Sequence, residues 1–146
     1  MGSLGRRHTL YTMFERNMGS RVVPKTVVVL GASADRAKFS NKAVRAYTSK
    51  GWKVYPVNPK GGEVEGLQVL PSLDSVPVHP ERVTVYLPPS AGILALPDIA
   101  RLEPQELYIN PGAESDELIA EARRLGLDPI LACSIVEIGE RPANYS

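Results

Sequence analysis

The chain has a single cysteine in 146 residues, Cys133, and one thiol cannot build a disulfide framework. Lone-cysteine usage fits a reducing compartment and a cytoplasmic protein. Histidine is nearly as scarce. His8 and His79 stand far from each other and from Cys133, so no metal-ligand spacing arises. Charge of either sign is not in excess: 17 basic residues face 16 acidic ones, for a formal net charge of +1. Nucleic-acid binders gather a basic surplus on one face, so that class is disfavoured. No apolar run approaches the roughly 20 residues that cross a bilayer as a helix. What remains is ordinary globular composition, with 43% hydrophobic and 23% charged residues. A chain of this length reads as one domain large enough to bury a core.

Residues 1–23 form an N-terminal extension, either a short amphipathic helix carrying Leu10, Met13 and Phe14 or a mobile tail. The start Met1-Gly2-Ser3 resembles a myristoylation site, but Arg6 stands where serine or threonine is wanted. The domain proper covers residues 24–146. It opens on the apolar run Val27-Val28-Val29-Leu30, breaks at Gly31-Ala32-Ser33, and continues into a helical pattern on Phe39, Ala43, Val44 and Tyr47. Ser40 or Asn41 is expected to cap that helix and Gly51 to end it. A second apolar run, Trp52 to Val57, stops at Asn58-Pro59-Lys60. Strand, glycine turn, helix and strand make a βαβ unit, whose first turn presents backbone N–H groups to a phosphate.

Further along, Val83 to Leu87, Leu107 to Ile109 and Pro129 to Ala132 read as strands, and Gln68 to Leu70 as a short extra one. Ser90 is expected to cap a helix that Pro97 kinks or splits. Ser115, followed by Asp116 and Glu117, caps a helix that Gly126 ends. Five strands alternating with helices predict a three-layer α/β domain with a mostly parallel sheet, in the order 3-2-1-4-5.

In such a sheet ligands bind beyond the carboxyl ends of the strands. Four turns meet there: Gly31-Ala32-Ser33, Asn58-Pro59-Lys60, Pro88-Pro89-Ser90 and Asn110-Pro111-Gly112. The full G-x-G-x-x-G pattern of dinucleotide sites is missing, since the first turn has one glycine. NAD sites also favour an acid after the second strand, and this chain has Lys60 there and no acid before Glu63. A lysine suits a phosphate on the ribose instead. Elsewhere, His79 reads as a surface residue, Tyr86 and Tyr108 as core residues within strands, and Cys133 as a small buried residue close to the rim. No nucleophile–base pair or acid pair can be assembled.

Four segments together, V-V-L-G-A-S with F-S-N (28–41), Y-P-V-N-P-K (55–60), Y-L-P-P-S (86–90) and N-P-G (110–112), resemble the small stand-alone CoA-binding proteins. These are similar to the CoA-binding domain of the succinyl-CoA synthetase α subunit. The resemblance spans roughly residues 25–138. It implies a Rossmann-type fold that holds coenzyme A as its cofactor, a small-molecule ligand. Carried over by position, it puts Gly31, Ala32, Ser33, Ser40 and Asn41 near the pyrophosphate. Val57, Asn58, Pro59 and Lys60 would border the adenine and 3′-phosphate. Leu87, Pro88 and Pro89 would flank the adenosine and pantetheine arm, with Asn110, Pro111 and Gly112 further along it. The synthetase's phosphorylated histidine belongs to a second domain with no counterpart here, so the expected function is binding of CoA or acyl-CoA without turnover. The alternatives are an NAD(P)-binding redox protein or sensor, and an acyl-CoA ligase subunit that needs a partner chain.

Overall fold

The computed structural model describes residues 23–146, and the expectations for residues 1–22 lie outside them. The sheet has five strands, all parallel: β1 (Thr26–Leu30), β2 (Lys53–Val57), β5 (Arg82–Val85), β6 (Glu106–Ile109) and β7 (Pro129–Leu131). A separate hairpin pairs β3 (Glu63–Val64) with β4 (Leu67–Gln68). The helices are α1 (Phe39–Ser49), α2 (Pro89–Leu102), α3 (Asp116–Arg124) and the short α4 (Ser134–Glu137). This is the expected three-layer Rossmann-type α/β architecture.

Alternation along β1 builds both faces of the sheet. Val28 and Leu30 join Leu96 and Ile99 of α2 and Leu118 and Ala122 of α3 in one core. Val27 and Val29 point the other way, onto Ala43, Val44 and Tyr47 of α1 and Ile135 of α4. Because both faces are covered, β1 needs apolar residues at every position, which is why it shows no polar alternation.

The strand order is β2-β1-β5-β6-β7, which corrects the 3-2-1-4-5 expectation. The third long strand, β5, was expected beside β2 and instead pairs with β1. The outer edge of β2 is already taken. Leu70 forms a parallel bridge to Val57, donates from its N–H to the Pro56 carbonyl at 2.9 Å and accepts from the Asn58 N–H at 3.0 Å. With those edge groups satisfied, β5 takes the free side of β1. The hairpin and this bridge together stand in for the short strand expected at Gln68 to Leu70.

Two helix N-termini also differ from expectation. Neither Ser40 nor Asn41 caps α1: both lie inside its first turn, buried, and Lys38 occupies the N-cap without a side-chain bond. Pro88, not Ser90, is the N-cap of α2, with Pro89 at a first-turn position where its missing N–H costs no bond. Pro97 does not split α2, which runs on to Leu102. Pro97 is exposed, so the carbonyl it cannot bond faces the wet side of the helix. Ser115 caps α3 as expected, its Oγ accepting from the Leu118 N–H at 3.1 Å.

At the amino ends of the strands, the buried Arg82 is stacked between Trp52 and Tyr108, 5.0 and 4.4 Å from the ring centres. It donates to Glu106 and to the Tyr47 hydroxyl. Burial alone would weaken its hold on the proton, but these bonds outweigh that and raise its pKa.

Candidate functional site

At the opposite, carboxyl ends of the strands lies a cavity of about 780 Å³. All four rim turns reach it. Gly31, Ala32, Ser33, Ser40, Asn58, Pro59, Lys60, Leu87, Pro88, Asn110, Pro111 and Gly112 line its wall. Three other residues of the sequence-derived set stand behind that wall. Val57 accepts the Gly31 and Ala32 N–H groups on its carbonyl, at 3.0 and 3.2 Å. Asn41 is fully buried in α1, and Pro89 opens α2. Lys38, Phe39, Tyr86, Ala113 and Cys133 complete the lining.

The first turn owes its shape to Gly31. Its φ of +92° is a conformation side chains resist, and a Cβ there would meet Leu87 Cδ2 at 3.0 Å. A pyrophosphate is expected at the N–H groups of this turn and of the helix start near Phe39 to Asn41, but those of Gly31 and Ala32 are spent on Val57. The free donors are found one step on. The N–H groups of Phe39, Ser40 and Asn41 have no intrahelical acceptor, no side chain among the described residues caps α1, and its first turn holds no acid. By contrast, α3 has both a serine cap and two acids. The bare positive end of α1 therefore opens onto the cavity through Phe39 and Ser40. Lys38 and Lys60 add the only charged side chains among the described lining residues, both cationic.

Two asparagines staple the rim together. The Asn58 amide donates to the Ala32 carbonyl at 2.6 Å, and its Oδ1 accepts from the Lys60 N–H at 2.6 Å, joining the first and second turns. Asn110, buried, donates to Thr84 Oγ1 at 2.6 Å and to the Val85 carbonyl at 2.9 Å. Its Oδ1 accepts from the Ser134 N–H at 2.9 Å, which fixes α4 against the sheet.

Tyr86 packs against the α1 side of the core, as expected, and also reaches the cavity. The strand β5 ends at Val85, so Tyr86 leaves the pleat and stands half-buried in the cavity wall. Burial pushes its phenol pKa well up, so it remains a neutral donor. Tyr108 does lie in the core. Cys133, half-buried, sits on the wall just past β7, close to the rim as its place after the last strand predicts. His79 is exposed, with Nδ1 2.7 Å from the Leu102 carbonyl, and does not line this cavity. No cluster of three or more metal-ligating side chains occurs among the described residues.

Comparison with known proteins agrees with this geometry. A curated relative, the α subunit of the ADP-forming acetate–CoA ligase I of Pyrococcus furiosus, is 27% identical over 121 residues, 80% of this chain. The chain spans 22% of that subunit's length. A conserved hypothetical protein from the same organism matches at 30% identity and a TM-score of 0.70, covering 79% of this chain and 99% of that one. A protein from Thermus thermophilus matches at 29% identity and 0.72, covering 78% and 87%. A dinucleotide-forming acetyl-coenzyme A synthetase 1 from Ca. Korarchaeum cryptofilum, in complex with phosphate and ADP, matches at 26% and 0.64, covering 73% of this chain and 25% of its own. The CoA binding domain family matches residues 25–139, most of the chain. The chain is a member of the CoA binding domain family.

Proposed function

We propose that residues 24–146 are a coenzyme A-binding module that holds the nucleotide end of CoA or an acyl-CoA and catalyses nothing by itself. The observation that carries this reading is the acid-free start of α1, uncapped among the described residues, opening on a cavity whose charged lining side chains among those residues are Lys38 and Lys60. Three unpaired N–H groups and the helix dipole suit a diphosphate. Lys60, exposed at the end of β2, suits the 3′-phosphate that distinguishes CoA from NAD. Gly31 and Pro88, on either side of Leu87, leave a smooth apolar wall for the adenosine and the pantetheine arm. The free thiol of Cys133 suits a reducing, cytoplasmic setting.

Thermal shift and calorimetry with CoA, 3′-dephospho-CoA, NAD, NADP and FMN test the reading, since a ligand stabilises only the fold that binds it. CoA should stabilise most and dephospho-CoA less. Stabilisation by NAD or NADP above CoA would return the redox alternative.

A second reading is favoured by the acetate–CoA ligase subunit, of which this chain spans about a fifth. There the module would deliver CoA to a partner chain that carries the phosphorylated group. ATP-dependent thioester formation, assayed with and without candidate partner chains, separates the two. Activity that appears only with a partner supports the ligase role.

A further inference from the structure

The hairpin between β3 and β4 carries an oddity that CoA binding alone does not explain. Its register, Val64 opposite Leu67, leaves Glu65 and Gly66 as the two-residue turn. Both have positive φ, +51° and +80°. Turns of this kind favour Asn, Asp or Gly at the first position, and a glutamate there is strained. Its side chain shows what holds it. Glu65 Oε2 accepts from the Asn41 amide at 3.1 Å and lies 3.6 Å from Arg36 Nε.

Asn41 is fully buried and uses every polar group of its side chain. Oδ1 accepts from Arg45 Nε at 2.8 Å, and Nδ2 donates both to Glu65 and, at 2.9 Å, to the Ser33 carbonyl. A guanidinium on one side and a carboxylate on the other allow the amide one orientation only. Flipping it would set its oxygen against the Glu65 carboxylate and its NH2 against Arg45. In the orientation so fixed, the NH2 group faces Ser33, at the end of the turn that lines the cavity.

We infer that Glu65 is a positioning residue for the ligand's diphosphate: through the Asn41 amide it fixes the Ser33 carbonyl, and with it the loop that leads to the bare start of α1. The inference rests on the CoA-binding reading. Glu65 does not line the cavity. Its strained backbone is retained because its carboxylate reaches the buried Asn41 amide. Removing it leaves one Asn41 N–H unpaired and lets the amide turn away from Ser33.

Two variants test this. Glu65→Gly removes the carboxylate and relieves the backbone strain. Glu65→Gln keeps an acceptor for Asn41 and loses only the charge facing Arg36. Glu65→Gly should keep its Tm within a few degrees of wild type and bind CoA about tenfold more weakly, the scale for removing a group that orients a ligand-holding residue. The loss should be equal for CoA and 3′-dephospho-CoA, because the 3′-phosphate is not involved. Amides 34–38 of the ligand-free variant should exchange with solvent faster, and Glu65→Gln should restore both affinity and protection. Unchanged affinity and protection in Glu65→Gly would overturn the inference, as would a Glu65→Gln variant as weak as Glu65→Gly. If wild type itself fails to bind CoA, the parent reading falls and this one with it. If wild type binds and the glycine variant binds equally, only this one falls.

Discussion

Gly31 and Leu87 meet across the first and third turns of the cavity rim, so closely that a single methyl on Gly31 would stand 3.0 Å from Leu87 Cδ2. Two constraints coincide at this glycine: the left-handed backbone at φ +92° and the contact with Leu87. The Gly31→Ala variant should therefore lose about 1–3 kcal/mol of stability, the range for forcing a side chain into such a conformation. Leu87 is half-buried and can give way only towards the cavity it lines, so CoA affinity should fall as well. Chemical denaturation followed by calorimetry measures both effects. Retention of full stability and full affinity would contradict the constraint drawn from this contact.

Lys60 is exposed at the end of β2, with its backbone N–H held by Asn58 Oδ1 and its side chain free of any ion pair among the described residues. Its replacement should leave folding untouched and alter ligand choice. For Lys60→Ala we expect CoA affinity to fall about five- to tenfold, the scale of one charge-assisted contact at a wet site. Affinity for 3′-dephospho-CoA should stay as in wild type, so the ratio of the two constants contracts towards one. A ratio that survives the substitution removes Lys60 from the phosphate site.

These two residues are legible in the sequence because each breaks a pattern: a glycine ending an apolar run, and a lysine where a dinucleotide site wants an acid. The three-layer fold is legible for the same reason. The unbroken Val27–Leu30 run signals a strand covered on both faces, and the α1 and α3 stripes have clear helical spacing. The strand order is not. It turns on Leu70, whose three backbone and bridge contacts occupy the edge of β2, and so short a pairing leaves no periodic trace. Asn41 reads as a ligand contact because it follows the phosphate turn, whereas its burial in α1 gives it a supporting position. Glu65 gives no signal at all. Its importance comes from a positive φ and a bond to a residue 24 positions earlier, neither of which sequence spacing encodes.

Asn110 offers a test of how the rim is held rather than what it holds. Its side chain joins β5, β6 and α4 through Thr84, Val85 and Ser134. In Asn110→Ala the Ser134 N–H is left buried without its partner, since Ser134 is fully enclosed. An orphaned buried donor and the lost amide bonds should together cost about 2–3 kcal/mol. For a domain of this size that lowers Tm by roughly 8–12 °C. Differential scanning calorimetry of the ligand-free protein decides it. A change under a degree would mean that water or a rearranged Thr84 replaces the staple.

The last residues of the chain should respond to pH in a way set by one hydrogen bond. The Tyr145 hydroxyl donates to Glu140 Oε1 at 2.6 Å and lies 2.9 Å from Ser49 Oγ on α1, so this contact ties the C-terminal turn (Pro142–Tyr145) to the helix. The bond requires a charged carboxylate and a protonated phenol. Accordingly Glu140 is held below the usual glutamate range, chiefly by the Tyr145 hydroxyl with Lys50 adding to it, and Tyr145 is raised, chiefly by Glu140. A depressed Glu140 contributes stability present above the ordinary glutamate pKa and lost as pH falls through its folded value. A raised Tyr145 contributes stability present below the ordinary tyrosine pKa and lost as pH rises through its folded value. Docking of the turn should thus be firm across neutral pH and loosen in acid and in strong base. Amide hydrogen exchange at residues 142–146 measures it directly. Tyr145→Phe should raise exchange at neutral pH and abolish the contrast between neutral and acid. If the variant keeps the wild-type contrast, Lys50 rather than Tyr145 anchors Glu140, since its Nζ lies 3.5 Å from Glu140 Oε2.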